Sequence, residues 1–230
     1  MFAAGCRPGE AGPARRVANI VIAAGSDKKP LTAERDVSVT TITNQAFLAN
    51  VFGSEWENAH VTGFPEAPQD LEKLELRHYW AGNRWSRWPS GWVNQLPDWN
   101  SYFSVSLFRD DRRDGRARRR RDLFVSCHVI LVDDVGTKVD GDYVRDRVGN
   151  PTYALETSPG NFQWGYVLDP PETDPCRVEA LVDVMIASGM TADGKDPGMS
   201  GVNRYARLPQ GVNTKKVGEP WSHVLHGWAP

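Results

Sequence analysis

Hydrophobic and polar positions divide the chain into two stretches of different regularity. Residues 102–108 alternate, Tyr102, Ser104 and Ser106 against Phe103, Val105 and Leu107, which predicts a half-buried strand. Residues 123–132 form a near-continuous apolar run, the pattern of a strand buried on both faces, and it ends in Asp133-Asp134-Val135-Gly136-Thr137-Lys138. A second strand is predicted over 152–156, a turn at Ser158-Pro159-Gly160-Asn161, and a returning strand over 162–168 that Pro170-Pro171 stops. Val178, Leu181, Val182, Met185 and Ile186 fall at helical spacing and predict a helix over 177–188 closed by Gly189. A short strand follows at 204–209. The order strand, strand, turn, strand, helix, loop, strand predicts an α+β arrangement with an antiparallel hairpin at its middle.

The pattern before residue 100 is less regular. Residues 1–35 are rich in Ala, Gly and Pro and read as a mobile or loosely packed leader. A strand is expected at 37–43, a helix starting behind Thr43, a strand at 60–64 and a short helix over 69–76 with Leu71, Leu74 and Leu76. Trp80, Trp85, Trp88, Trp92 and Trp99 then crowd a stretch broken by Pro89, Gly91 and Pro97. Such density serves either as a stacking platform for bases or as cladding that packs a loop-rich subdomain onto the core. Cladding is the expectation for most of them, leaving one or two near Arg84 and Arg87 to face a nucleotide or strand.

Composition narrows the class without naming a function. The 230 residues carry 27 Lys and Arg against 29 Asp and Glu, a net charge of −2, which excludes a uniformly basic DNA coat. A local excess remains possible, and residues 109–122 provide one, with eight Arg, four Asp and no large apolar side chain. They read as a solvated loop between two strands, functionally a phosphate-backbone surface with Arg118 and Arg119 as candidate contacts. Cys6, Cys127 and Cys176 lack any paired spacing, so neither a disulfide framework nor a zinc site is indicated, and a reduced cytoplasm is expected. The five histidines show no metal-ligand spacing. No Walker loop is present in the sequence, so ATP-driven unwinding is not encoded here.

Two constellations carry chemistry. Asp133 and Asp134 follow a buried strand, where unpaired charge is expensive and neighbouring acids repel. A divalent cation relieves both, and hard oxygen donors without Cys or His indicate Mg²⁺ or Mn²⁺. The alternative is a turn in which one Asp caps the backbone and the other is solvated. Arg204, Arg207, Asn213, Lys215 and Lys216 form the second group, suited to phosphate oxygens. On a regular strand Arg204 and Arg207 point to opposite faces, so one at most enters a site, and Arg207 is the choice.

Asp-Asp-Val-Gly-Thr-Lys, then Glu156-Thr-Ser-Pro-Gly-Asn-Phe-Gln163, then Asp196 ahead of Arg207-Leu-Pro-Gln-Gly-Val-Asn213-Thr-Lys215, resembles the archaeo-eukaryotic primase superfamily, most closely its phage and plasmid RepB-type primases and primase-polymerases. The resemblance implies an α+β fold with an RRM-like palm, an antiparallel or mixed sheet flanked by helices, and an N-terminal α/β subdomain. The catalytic domain would span 36–218, divided at 121/122, with a tail at 219–230. It implies Asp133, Asp134 and Asp196 as catalytic metal ligands for Mg²⁺ or Mn²⁺, with Asp193 the alternative third acid. Gln163 stands where the family commonly has a phosphate-contacting His, so triphosphate binding would lean on Arg207 and Lys215, with Asn213 and Ser158 beside them. Arg204, Arg84, Arg87, Arg118 and Arg119 would face nucleic acid. The implied partners are a single-stranded DNA template and primer, nucleoside triphosphates, and a replicative helicase in trans or fused, in the cytoplasm of a bacterial host. Two alternatives stay open: a non-catalytic single-stranded nucleic-acid-binding domain, and a metal-dependent nuclease.

Overall fold

Thr43 opens the first helix, α1 (Asn44–Phe52), by accepting the Ala46 N–H on its hydroxyl at 3.1 Å, as the cap chemistry of the sequence predicts. The computed structural model describes residues 41–68, 79–191, 201–216 and 218–228. The expected leader and the helix at 69–76 lie outside these residues, as does most of the strand expected at 37–43, whose residues 41–43 form no strand. Among the described residues no helix is long and apolar enough to cross a membrane.

The class is α+β, and every pairing between named strands is antiparallel. A four-stranded sheet runs in the order β2 (Asn83–Arg84), β1 (His60–Phe64), β3 (Asn100–Ser104) and β8 (Tyr205–Arg207). A five-stranded sheet runs β11 (Val224–Trp228), β6 (Tyr153–Ser158), β7 (Asn161–Glu172), β5 (Phe124–Val135) and β4 (Ser106–Phe108). β9 (Val212–Asn213) and β10 (Trp221–Ser222) form a separate pair. Strands cross residue 121/122 in both directions: β8 joins the sheet of β1 and β3, while β4 pairs with β5.

The expected strand at 102–108 is a single run shared between the two sheets, β3 in one and β4 in the other, with Val105 between them. All of its residues are buried, so the alternation read as one wet face is a polar face under cover. Ser101, Ser104 and Ser106 are small enough to sit there. Pro170-Pro171 does not end β7, which continues to Glu172; near its end Cys127 still pairs with Glu172 in the β5–β7 ladder. The tail is likewise structured, because β11 is the edge partner of β6.

Helices α2 (Gly141–Val148) and α3 (Pro175–Ala187) start on Asp140 and Asp174, whose carboxylates accept backbone N–H groups of the first turn. α3 packs on β5 and β7 through Val178, Leu181, Val182 and Met185, four of the five periodic positions read from the sequence, with Ile186 only partly buried. α1 sends Phe47 between Phe103, Tyr153 and Trp228, with ring centroids 5.1–5.3 Å apart. Gly165 in β7 is dictated by this packing: a Cβ there would stand 2.1 Å from the Tyr153 ring. The β6–β7 hairpin turns on Pro159-Gly160, with Gly160 at φ 69° in the left-handed region that Pro-Gly favours.

Candidate active site

Near the end of β5 the ladder with β7 slips. Val132 pairs with Trp164 and Val135 with Phe162, so Asp133 and Asp134 together oppose the single residue Gln163. This is a β-bulge, and it explains how a buried strand ends in two adjacent acids. Asp134 takes φ 58°, a left-handed conformation that Asp tolerates better than most residues. The side chains are 24% and 22% exposed, so both carboxylates reach solvent while the apolar strand behind them does not.

The two acids have different partners. Asp133 Oδ1 accepts the Asp134 N–H at 2.9 Å, and its Oδ2 accepts Gln163 Nε2 at 3.2 Å with Arg204 Nη2 at 3.9 Å. Asp134 Oδ2 accepts Lys138 Nζ at 2.7 Å and its Oδ1 accepts Asn161 Nδ2 at 3.3 Å. The turn after β5 brings the Lys138 ammonium, itself largely exposed, back four residues onto Asp134.

Gln163 is buried and joins two strands. Its amide nitrogen holds Asp133, and its Oε1 accepts the Arg207 backbone N–H at 2.9 Å. Arg204 and Arg207 are each 4% exposed. The expectation that one of them faces away is overturned: β8 begins at Tyr205, so Arg204 lies outside the strand and escapes its alternation. Arg204 donates to Leu131 O at 2.8 Å beside Asp133. Arg207 donates to Asn100 Oδ1 at 3.2 Å and lies over the Tyr102 ring at 4.2 Å. Burial pushes the Arg207 guanidinium below its ordinary value, opposed by Tyr102 and Asp133. Burial, seconded by Arg207, drives the His223 imidazole down to about 3, so a neutral ring sits beside that cation, its Nδ1 on Leu208 O at 2.8 Å.

Ser158, Asn213 and Lys215 come together elsewhere, around a cleft of about 490 Å³ completed by Lys216 and Trp221. Asn213 donates to Thr157 O at 2.8 Å and accepts the Lys215 N–H at 3.1 Å. Lys215 is exposed and its ammonium makes no ion pair among the described residues. Cleft and acid pair share the β6–β7 turn, with Ser158 on one side of Pro159-Gly160 and Asn161, the Asp134 partner, on the other. Asp196 and its alternative Asp193 lie outside the described residues, among which no group of three metal-ligating side chains occurs.

With this geometry in view, the structure is similar to the AEP domain of the cyanophage S-2L primase-polymerase, at a TM-score of 0.50 and 12% identity over 80% of this chain and 88% of that one. The chain has an archaeo-eukaryotic primase-like fold. It is also similar to primase RepB′, at a TM-score of 0.47 and 15% identity over 81% of this chain and 57% of that one. A third similar structure is the catalytic domain of primase RepB′ in complex with initiator DNA, at a TM-score of 0.46 and 13% identity over 81% and 86% of the two chains. No family model and no curated protein matches the chain.

Around this primase-like fold the basic residues expected to face nucleic acid are mostly tied to protein. Arg84 reaches Asn58, Phe108 O and Asp110, and Arg87 grips Asp110 with both terminal nitrogens. Arg118 bridges Asp111 and Asp114, while Arg119 donates to Trp80 O and Asn203 O and lies 3.5 Å over the Tyr205 ring. The loop is thus braced rather than merely solvated, because four Asp stand within reach of the eight Arg. Sequence reasoning missed Asn100, a buried side chain that bonds Arg207, Thr214 and Glu66 O. Its one signal was a polar residue directly after Trp99.

Proposed function

We propose that this chain is a nucleotidyltransferase of the DNA primase or primase-polymerase kind, joining nucleoside triphosphates on a single-stranded DNA template in phage or plasmid replication. The observation that carries the reading is the bulge that sets Asp133 and Asp134 opposite Gln163 in a primase-like fold. The donor chemistry fits a divalent cation: two partly exposed carboxylates, with Gln163, Arg204, Lys138 and Asn161 as their side-chain partners and no Cys or His among them. Asp133 and Asp134 would hold Mg²⁺ or Mn²⁺, with Asp196 the proposed third ligand and Asp193 its alternative. Such ions, when bound, acidify the attacking 3′-hydroxyl and neutralise charge on the transferring phosphoryl group.

The chain's own residues supply the rest. Gln163 and the Asp134 N–H fix the Asp133 carboxylate in place, and Arg204 offsets its charge from below. Lys215 and Lys216, with Ser158 and Asn213, offer the cleft in which a triphosphate tail is received, Lys215 as a mobile point charge. Gln163 spends both ends of its amide on protein, so it positions Asp133 instead of gripping phosphate. Arg207 supports the site through its backbone N–H, which Gln163 accepts. A helicase would act in trans or as a fused partner.

The test is labelled-nucleotide incorporation on a single-stranded template with Mg²⁺ or Mn²⁺, comparing the chain with Asp133→Asn and Asp134→Asn. Incorporation that both substitutions abolish supports the reading. Strand binding without incorporation in either metal overturns it in favour of a non-catalytic binding domain, which the Lys138–Asp134 ion pair also suits. Template degradation that depends on the same acids would instead identify a nuclease.

A further inference from the structure

The tryptophan-rich stretch has one wall only partly covered: Trp88 packs on the core and Trp92 on Trp99, yet both line an open cavity. Trp85 packs on Trp56, and Trp80 on Phe64 and Tyr102, as cladding should. Trp88 and Trp92 stand edge to face at 5.6 Å and line a cavity of about 260 Å³ with Tyr79, Pro89, Asn83 and Thr62. Trp92 is 38% exposed, unusual for so large an apolar side chain. The volume falls below the roughly 300–1,000 Å³ of whole-ligand pockets and suits one planar part of a longer ligand. Asn83 Oδ1 accepts the Arg84 N–H at 2.9 Å, which leaves its NH₂ as a donor at the cavity wall.

The braced loop lies next to this cavity. Arg87, the neighbour of Trp88, bonds Asp110 and Gly115 O across it. Asp111 in turn receives Arg118, Arg120 and the Arg113 N–H. Holding the base of the loop this way leaves Arg112 and Arg113 exposed, with no ion pair among the described residues. An aromatic slot joined through Arg87 to a turn with two exposed guanidinium groups, Arg113 also within electrostatic reach of Asp122, is an arrangement that can grip a single strand, rings for a base and cations for its phosphates.

We propose that the Trp88–Trp92 cavity seats one unpaired base of single-stranded DNA while Arg112 and Arg113 hold the flanking phosphates. This rests on the template-directed reading above and names where its template is held, away from the Arg118 and Arg119 expected from the charge run. A proline-rich peptide would also suit paired tryptophans, but it gives the two arginines no partner.

The experiment is fluorescence anisotropy with a labelled oligo-dT across a salt series, on variants that melt like the wild type. Trp92→Ala is expected to weaken binding about 5- to 150-fold with the salt slope kept, and Trp92→Phe to restore most of it. Arg112→Ala combined with Arg113→Ala is expected to lower the slope of log affinity against log salt by about 1.4. Wild-type binding that ignores Trp92 and both arginines overturns the site and leaves the polymerase reading standing. A wild type that binds no strand yet binds a proline-rich peptide defeats both.

Discussion

The bulge at Asp133–Asp134 and the loop at 109–122 are both dense in charge, and they satisfy it differently. In the loop most ion pairs join residues that are close in sequence, Asp114 with Arg118, Asp111 with Arg118 and Arg120, Arg120 with Asp122, while Asp110 and Arg121 reach out to Arg84, Arg87 and Glu179. At the bulge Asp133 is met by Gln163 and Arg204, which arrive from β7 and from the segment before β8. Local pairing needs no particular topology and yields a stiff scaffold. Pairing across the fold needs two sheets in register, and it leaves carboxylates half in water, where a ligand can meet them. The contrast separates charge that shapes the molecule from charge that is presented by it.

The largest effect that would sharpen this contrast is on activity. Asp133→Asn should reduce nucleotide incorporation by about 10²- to 10³-fold, whereas Asp114→Asn should leave it unchanged in the same assay. Next comes stability measured by urea unfolding. Arg204→Met strips a buried donor from Leu131 O and a cation from Asp133, at a cost of about 2–4 kcal/mol. Arg116→Met, whose partner Asp114 is exposed and two residues away, should not move the midpoint.

Acid should expose the same divide. Burial holds His60 and His223 at about 3 and His128 at about 4, below the ordinary 6.5, so the unfolded chain binds more protons between those values. Stability is then full above pH 6.5 and is lost as pH falls toward the folded values, by about 2 kcal/mol per histidine at pH 5. Melting temperature against pH checks this, and His60→Leu should flatten the curve. The smallest effect is Gln163→Leu, about 1–2 kcal/mol, from the orphaned Arg207 N–H. If Gln163→Leu instead leaves both stability and incorporation untouched, the link between bulge and β8 does not matter.

Much of the fold was legible where one physical rule acts alone. The Thr43 cap, the α3 periodicity and the Pro159-Gly160 turn each follow from neighbours within a few residues. The candidate site was legible only as residue types, two adjacent acids closing an apolar strand. Its wiring was not. Arg204 was read by strand alternation, yet it lies one residue before the strand, and no local signal marks that boundary. Asn100 is polar in a run whose cover comes from residues more than a hundred positions away. Arg118 and Arg119 looked like exposed cations because sequence counts charges and does not say which of them meet.

Val105 is the only residue between β3 and β4, and those strands belong to different sheets. The first of these strands pairs with β1, which carries Thr62 of the tryptophan cavity; the second pairs with β5, which ends in the acids. If the proposed base site and the acid pair act on one strand, this single-residue joint sets the span between them. On that reading, a glycine inserted beside Val105 would move one sheet against the other and shift the register between the two sites.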